Sequence, residues 1–293
     1  MRGIEWPPRT GAFEIRLDDP LYPPQLRETA SPPKVLRGYG DPESLMQGVA
    51  VIGARKATPY GIRCAQLFAG WAGAAGYTVV SGAAVGCDTA AHRAALDAGG
   101  RSVAVLGCGA DVPYPRDSGP LLARIAESGA VISELEWGYP PAKWTFRARN
   151  RIIAGLSKAL LVVEAGLGSG TFITADFALD AGREVMVVPG SIFAPECSGS
   201  NRLLSQGAIP VSDISEMRAV LENQLGSPTR DSVVEMLSRG NDPVLAAVRT
   251  NPARPDDLAR DLGLDIIEVA RRIGALEGEG MVTKYRDGRY GAC

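Results

Sequence analysis

Histidine is almost absent from this chain: His92 stands alone among 293 residues. Histidine-rich metal centres and Ser-His-Asp chemistry therefore have little to draw on. Lysine is scarce too, at Lys34, Lys56, Lys143, Lys158 and Lys284, so the basic residues are overwhelmingly arginine. The formal net charge is −2. That excludes polyanion binding through a globally basic surface and confines it to local patches. Cys64, Cys87, Cys108, Cys197 and Cys293 are odd in number and never spaced as CxxC. A disulfide framework and a zinc site are both poorly supplied, and reduced thiols in a cytoplasmic protein are expected. No run approaches the roughly 18 apolar residues of a membrane span. The opening MRGIEWPPRT lacks the apolar core of a signal peptide.

What is present is a regular alternation. Residues 1–46 are punctuated by proline and read as an extended lead-in with at most one short helix or strand. From residue 47 to 224, strand patterns at 49–53, 77–81, 102–107, 130–133, 159–164, 184–189 and 208–211 alternate with helical patterns. The helices are expected at 60–75, 88–98, 120–128, 145–156, 172–181 and 199–206. Repetition of this kind predicts a doubly wound parallel sheet, with the functional edge at the strands' carboxyl ends, where the glycine turns cluster. A polar Ser-Pro stretch at 225–240 reads as a linker. Within 241–293, three helix patterns at 244–249, 255–262 and 266–277 precede a hairpin signal at Asp287-Gly288. That order predicts a small winged-helix domain. Its basic residues are nearly matched by acids, which favours protein contact or packing over DNA contact for this module.

The densest chemistry lies in residues 143–175. Lys143, Arg147, Arg149, Arg151 and Lys158 fall in a stretch with no acid between Glu136 and Glu164. A buried-strand pattern follows, then the turn Gly166-Leu-Gly-Ser-Gly-Thr171 opening into a helix. Free backbone N–H groups at such a turn suit an anion. A second turn, Gly53-Ala54-Arg55, follows the first strand; it is not a GxGxxG fingerprint, and no acid ends the second strand to hold a ribose. Asp88 and His92 lie one helical turn apart, but a structural cap and a packed imidazole are favoured over a hydrolytic pair. Glu164 beside the glycine turn suits either loop hydrogen bonding or a catalytic carboxylate.

Several segments together resemble the DNA-processing protein A (DprA/Smf) family of bacteria: GARKATPYG, SGAAVGCDTAAHRAAL, VAVLGCGADVPYP, FRARNRIIAGLSKALLVVEAGLGSGTFITADFALDAGREVMVVPG and GSNRLLSQGA. Each is weak alone, and their common order is specific. The resemblance covers about residues 13–215, and 241–291 more loosely. It implies an extended Rossmann-like domain that binds single-stranded DNA, forms a homodimer, protects incoming DNA and promotes loading of RecA recombinase in natural transformation. It implies no enzyme activity, cofactor or metal. Ala54 replaces a serine or threonine usual in the family's first turn, removing a hydroxyl donor to phosphate. The sterile-alpha-motif type of N-terminal domain carried by many members is not expected here.

On this reading Arg55, Lys143, Arg149 and Arg151 neutralise phosphates and Asn150 hydrogen-bonds a backbone or base edge. Gly168, Ser169 and Gly170 supply N–H groups, and Phe146 or Trp144 stacks on a base. The alternative is a Rossmann-type nucleotide enzyme or sensor resembling phosphoribohydrolases, with Glu164 as its catalytic acid.

Overall fold

The structure, a computed structural model, describes residues 6–8, 11–46, 48–227, 242–278, 281–285 and 287–292. Its centre is β3 (Gly48–Ile52), buried along its whole length. Val49, Val51 and Ile52 supply the β-branched side chains that suit a strand covered on both faces. The parallel strands β4 (Thr78–Ser81), β5 (Ser102–Val105) and β6 (Ala130–Ser133) extend the sheet on one side of β3. On its other side stand β7 (Ala159–Val162), β8 (Glu184–Val187) and the short β9 (Ile209–Pro210).

Helices α2 (Pro59–Ala74), α3 (Cys87–Asp97), α4 (Gly119–Ser128), α5 (Lys143–Leu156), α6 (Thr171–Asp180) and α7 (Ser198–Ser205) follow the strands β3 to β8 in turn. Each lies within two residues of its expected boundaries, and the doubly wound parallel fold is present. The largest apolar cluster joins Ile152, Ile153 and Leu156 of α5 to Ala50, Ile52, Leu160 and Val162 of the sheet.

The first 46 residues contain more structure than their proline content suggests. β1 (Ala12–Arg16) pairs antiparallel with β2 (Val35–Gly40), and β2 pairs antiparallel with β6, so the sheet has nine strands in the order β1-β2-β6-β5-β4-β3-β7-β8-β9. Between them runs α1 (Pro24–Arg27), with a 3-10 turn at Pro42–Leu45 after them. The lead-in is therefore an edge of the main sheet. Phe13, Ile15 and Leu17 turn to the core in alternation with Glu14 and Arg16, but the run is short and lies among prolines, so it reads as no more than one short strand.

A further helix, α8 (Ile214–Leu225), was absent from the sequence reading. Asp213 caps it by accepting from Glu216 N–H at 3.0 Å, while the Glu216 carboxylate accepts from Ser212 N–H at 2.6 Å. That reciprocal cap is legible in Ser212-Asp213 followed by Glu216.

The chain divides into two compact units, Met1–Arg230 and Asp231–Cys293. Most of the expected linker at 225–240 lies outside the described residues. The second unit has helices Pro243–Thr250, Pro255–Leu262 and Ile266–Gly278, followed by the antiparallel pair Val282–Lys284 and Tyr290–Ala292. Asp265 accepts from Ile267 N–H at 2.7 Å as the expected cap, and Gly288 takes the positive φ of +84° that its turn needs. Val244, Val248, Leu258, Val269 and Ile273 form its core. No helix among the described residues is long and apolar enough to cross a membrane.

Candidate nucleic-acid interface

The strand order reverses between β3 and β7, because the chain runs outward from β3 through β4, β5 and β6 and then returns to β3's other side. Turns leaving neighbouring strands toward opposite faces open a crevice there. A cleft of about 1050 Å³ occupies this place, lined by the turn after β3, the turn after β7 and the first turns of α5. Residues 52–56 and 143–150 thus meet although about ninety positions separate them.

Helix α5 presents three faces. Lys143, Phe146, Arg147 and Asn150, spaced i, i+3, i+4 and i+7, form the stripe that lines the cleft. Thr145, Arg149, Ile152 and Leu156 form the buried face. Thr145 Oγ1 donates to Gly107 O, pinning the start of α5 to the turn after β5. Arg151 points along a third face and is absent from the cleft lining.

The sequence reading placed both Arg149 and Arg151 on phosphate, and the geometry moves both. Arg151 forms a two-pronged pair with Glu134, at 2.8 Å and 2.6 Å. Arg149 is only 4% exposed. It reaches the cleft floor from inside, donating Nη1 to Val105 O, with Asp88 as its electrostatic partner. Burial lowers Arg149 to about 10 and pushes Asp88 up against the pull of Arg149. The phase of α5 explains the difference: with Ile152 and Leu156 on the sheet, position 149 must face inward.

Gly82 makes room for this arginine, since a Cβ there would lie 2.1 Å from Arg149 Nη1. Gly107 does the same for Phe146, where a Cβ would meet the ring at 2.6 Å. Phe146 is half-buried. Its ring centroid stands 5.1 Å from that of Tyr114 and 5.2 Å from the Arg55 guanidinium.

The other expected residues, Trp144 excepted, also line the cleft. Ser169 N–H donates to Gly166 O at 3.2 Å, and its hydroxyl lies 2.8 Å from Thr171 Oγ1. Among the described residues the amides of Gly168 and Gly170 have no such backbone acceptor. Gly168 needs its glycine for a φ of +76°, whereas Gly170 does not. Asn150 Nδ2 donates to Gly170 O at 3.4 Å, tying α5 to this turn.

Lys56 and Tyr114 were not singled out from sequence, and Arg147 was noted only within the basic stretch; helical spacing from Lys143 would have found it. Arg55, Lys56, Lys143 and Arg147 appear in no ion pair among the described residues, whereas Arg37, Arg124, Arg151, Arg218 and Arg272 each have an acid partner. Four cations without an ion pair among the described residues thus meet in the cleft, whose lining also includes the carboxylate of Glu196.

Glu164 follows β7 by two residues but faces away from the cleft. It is fully buried, with Oε1 accepting from Thr58 N–H at 2.9 Å and Oε2 accepting from Thr58 Oγ1. It thereby braces the start of α2 and the turn that carries Arg55. Asp88 accepts from Gly82 N–H at 3.2 Å and Ala84 N–H at 3.4 Å, fastening the turn after β4.

His92 is wholly buried. Its Nε2 accepts from Ala83 N–H at 3.3 Å, and Ser102 Oγ lies 2.7 Å from Nδ1. Ser102 already donates its hydroxyl proton to Val79 O, so Nδ1 must carry the imidazole's hydrogen. His92 is the packed imidazole expected, whereas Asp88 is structural but not a cap: α3 starts at Cys87 behind Gly86 with no side-chain cap bond, and Asp88 fastens the preceding turn instead.

Burial lowers His92 to about 3. The unfolded chain, with an ordinary histidine near pKa 6.5, binds the proton first on acidification, so this contribution to stability falls as pH drops below about 6.5. Stability at pH 5 should be lower than at pH 7 by about 2 kcal/mol more in the wild type than in His92→Gln. Urea midpoints at the two pH values check this, and parallel losses in both proteins would refute it.

A family model for DNA recombination-mediator protein A matches residues 14–222, and one for the DprA winged helix domain matches 228–288. The chain is 38% identical to Protein Smf of Escherichia coli over 282 residues, 92% of this chain and 74% of that protein. It is 39% identical to DNA processing protein DprA of Streptococcus pneumoniae, over 72% of this chain and 74% of that one. The solved structure of the Streptococcus pneumoniae protein superposes with a TM-score of 0.68 at 37% identity, covering 71% of this chain and 73% of the other. A Helicobacter pylori DNA processing protein A, solved to describe its single-stranded DNA binding mode, superposes with a TM-score of 0.66 at 28% identity, covering 74% and 98%. With its fold and both of its units matched in this way, the chain belongs to the DNA recombination-mediator protein A family.

Proposed function

We propose that this protein binds single-stranded DNA along the switch-point cleft and acts as a non-catalytic mediator of recombination. The observation that carries this is the grouping of Arg55, Lys56, Lys143 and Arg147, without ion-pair partners among the described residues, around the Phe146–Tyr114 aromatic pair. The cations neutralise phosphates, the amides of Gly168 and Gly170 donate to another, and Phe146 offers a stacking surface. Two family-level roles accompany this reading: homodimer formation, for which Leu179 on α6 offers an exposed apolar side chain, and loading of RecA on incoming DNA during natural transformation. The hydrolase alternative loses support because both carboxylate oxygens of Glu164 are engaged by Thr58 inside the fold.

Anisotropy with labelled oligo-dT, against duplex of equal length and across a salt series, tests the proposal. Four phosphate contacts give a slope of log K on log[salt] of about −3, at roughly −0.7 per contact on a single strand. Arg55→Ala should weaken binding by about tenfold or more, the worth of a charged hydrogen bond. A flat salt dependence, preference for duplex, or base release from nucleoside monophosphates would count against this function. Light scattering at tens of micromolar reads the dimer, which a monomeric mass would refute.

A further inference from the structure

Two aromatic side chains of α5 stand in different surroundings. Phe146 lies inside the cleft, packed on Tyr114 and under Arg55. Trp144 stands outside it, 60% exposed, two residues away and so on another face of the helix. It is not adrift: its ring meets Tyr139 edge-on, with centroids 6.5 Å apart and planes at 85°.

Tyr139 in turn is held by its backbone. Its N–H donates to Glu136 O at 3.1 Å, and its carbonyl accepts from Gly109 N–H at 2.9 Å, which fastens the loop before α5 to the turn after β5. The indole therefore has one edge fixed while much of its surface stays in water. Lys143 and Arg147, both exposed and lining the cleft, adjoin it on the helix, Arg147 at i+3. An oriented, solvent-facing aromatic beside two cations without acid partners matches the chemistry of a base flanked by phosphates.

We infer that Trp144, steadied by Tyr139, is a second base-stacking platform, on which the strand continues after leaving the cleft at the Lys143–Arg147 rim. This rests on the proposed single-stranded DNA binding and extends it: the bound strand is longer than the cleft, and Trp144 sets the added length. The platform recognises any unpaired base, because every base has a π-face, and a duplex cannot offer one without unstacking.

The test measures affinity for oligo-dT of about 6 and about 15 nucleotides, within the range of site sizes such surfaces occupy. Trp144→Ala should weaken the longer oligonucleotide by roughly 5- to 150-fold, as expected for one lost stacked base, and leave the shorter almost unchanged. Phe146→Leu should weaken both. Trp144→Phe keeps a ring, so it should hold near wild-type affinity for the longer strand while losing most of the tryptophan quenching that DNA causes.

Equal affinity of Trp144→Ala and wild type at both lengths would overturn the inference. So would equal weakening at both lengths, quenching retained in Trp144→Phe, or a loss that follows a change in oligomeric mass by light scattering. If the wild type failed to bind oligo-dT at all, the proposed function would fall first and this platform with it. Wild-type binding with an indifferent Trp144 would remove the platform alone.

Discussion

Arg149→Met is expected to lower the unfolding free energy by about 3–5 kcal/mol, the usual consequence of leaving a buried charge without the opposite charge that compensates it. The substitution keeps most of the side-chain volume, so the loss is electrostatic. Asp88 would be left without its cationic partner at 7% exposure, and Val105 O would lose its donor. Arg149→Lys should rescue little, because an ammonium lacks the flat fork that lies on Gly82 while reaching Val105.

The double variant Asp88→Asn with Arg149→Met should recover part of the loss, since the stranded carboxylate is gone. Urea denaturation of the wild type, Asp88→Asn, Arg149→Met and the double variant gives the coupling directly. A loss under 1 kcal/mol in Arg149→Met would show that the pair does not hold the cleft floor. Two arginines that both neutralised phosphate, as Arg55 and Arg149 were expected to, would act alike on DNA affinity when replaced by alanine. The structure separates them: Arg55 is an exposed cleft cation whose loss is read in binding, and Arg149 is an internal brace whose loss is read first in stability.

Glu164→Ala is expected to cost about 3 kcal/mol of stability and to weaken single-strand binding as well. Two hydrogen bonds to a charged acceptor are lost, each worth roughly 1.5–3 kcal/mol net, with some relaxation around the gap. Thr58 N–H and its hydroxyl would be left without their acceptor at the start of α2, only three residues after Arg55. Glu164→Gln keeps one carbonyl acceptor and should fall between wild type and Glu164→Ala. A carboxylate facing bound phosphates would, on removal, leave DNA affinity unchanged or improved by reducing repulsion. That outcome needs Glu164 to face the cleft, whereas its side chain turns into the core. Thermal denaturation with anisotropy on both variants decides it: full stability with tighter DNA binding would return Glu164 to the cleft surface.

Legibility in the sequence followed the range of the interactions involved. The α2 boundary was readable because Thr58-Pro59 is a local start signal, and the β7 segment because four consecutive apolar residues suit a doubly covered strand. The inward turn of Arg149 was also encoded locally. Extending the stripe of Ile152 and Leu156 back by one and two turns reaches 149 and 145, both buried. It was missed because an arginine in a basic run invites a surface reading.

Strand β1 was missed for a different reason. Its alternation of Phe13 and Ile15 with Glu14 and Arg16 is legible but short, and what makes it a strand is its pairing with β2, and β2's with β6, which its own residues do not encode.

The sequence by itself determined the strand–helix alternation, the glycine turns at the carboxyl edge, the winged-helix order of the last segment and the family, since each rests on neighbouring residues or on motif order. Only the tertiary structure decided which cations share a site. Val49 to Ile52 pair with Ala159 to Val162 across more than a hundred residues, and that parallel pairing sets the switch point and brings Arg55 to Phe146. The folded core also decided that Arg151 belongs to Glu134, Arg149 to Asp88 and Glu164 to Thr58. Charge type is written in the chain, but a charge's partner is whatever packing brings within a few ångströms of it.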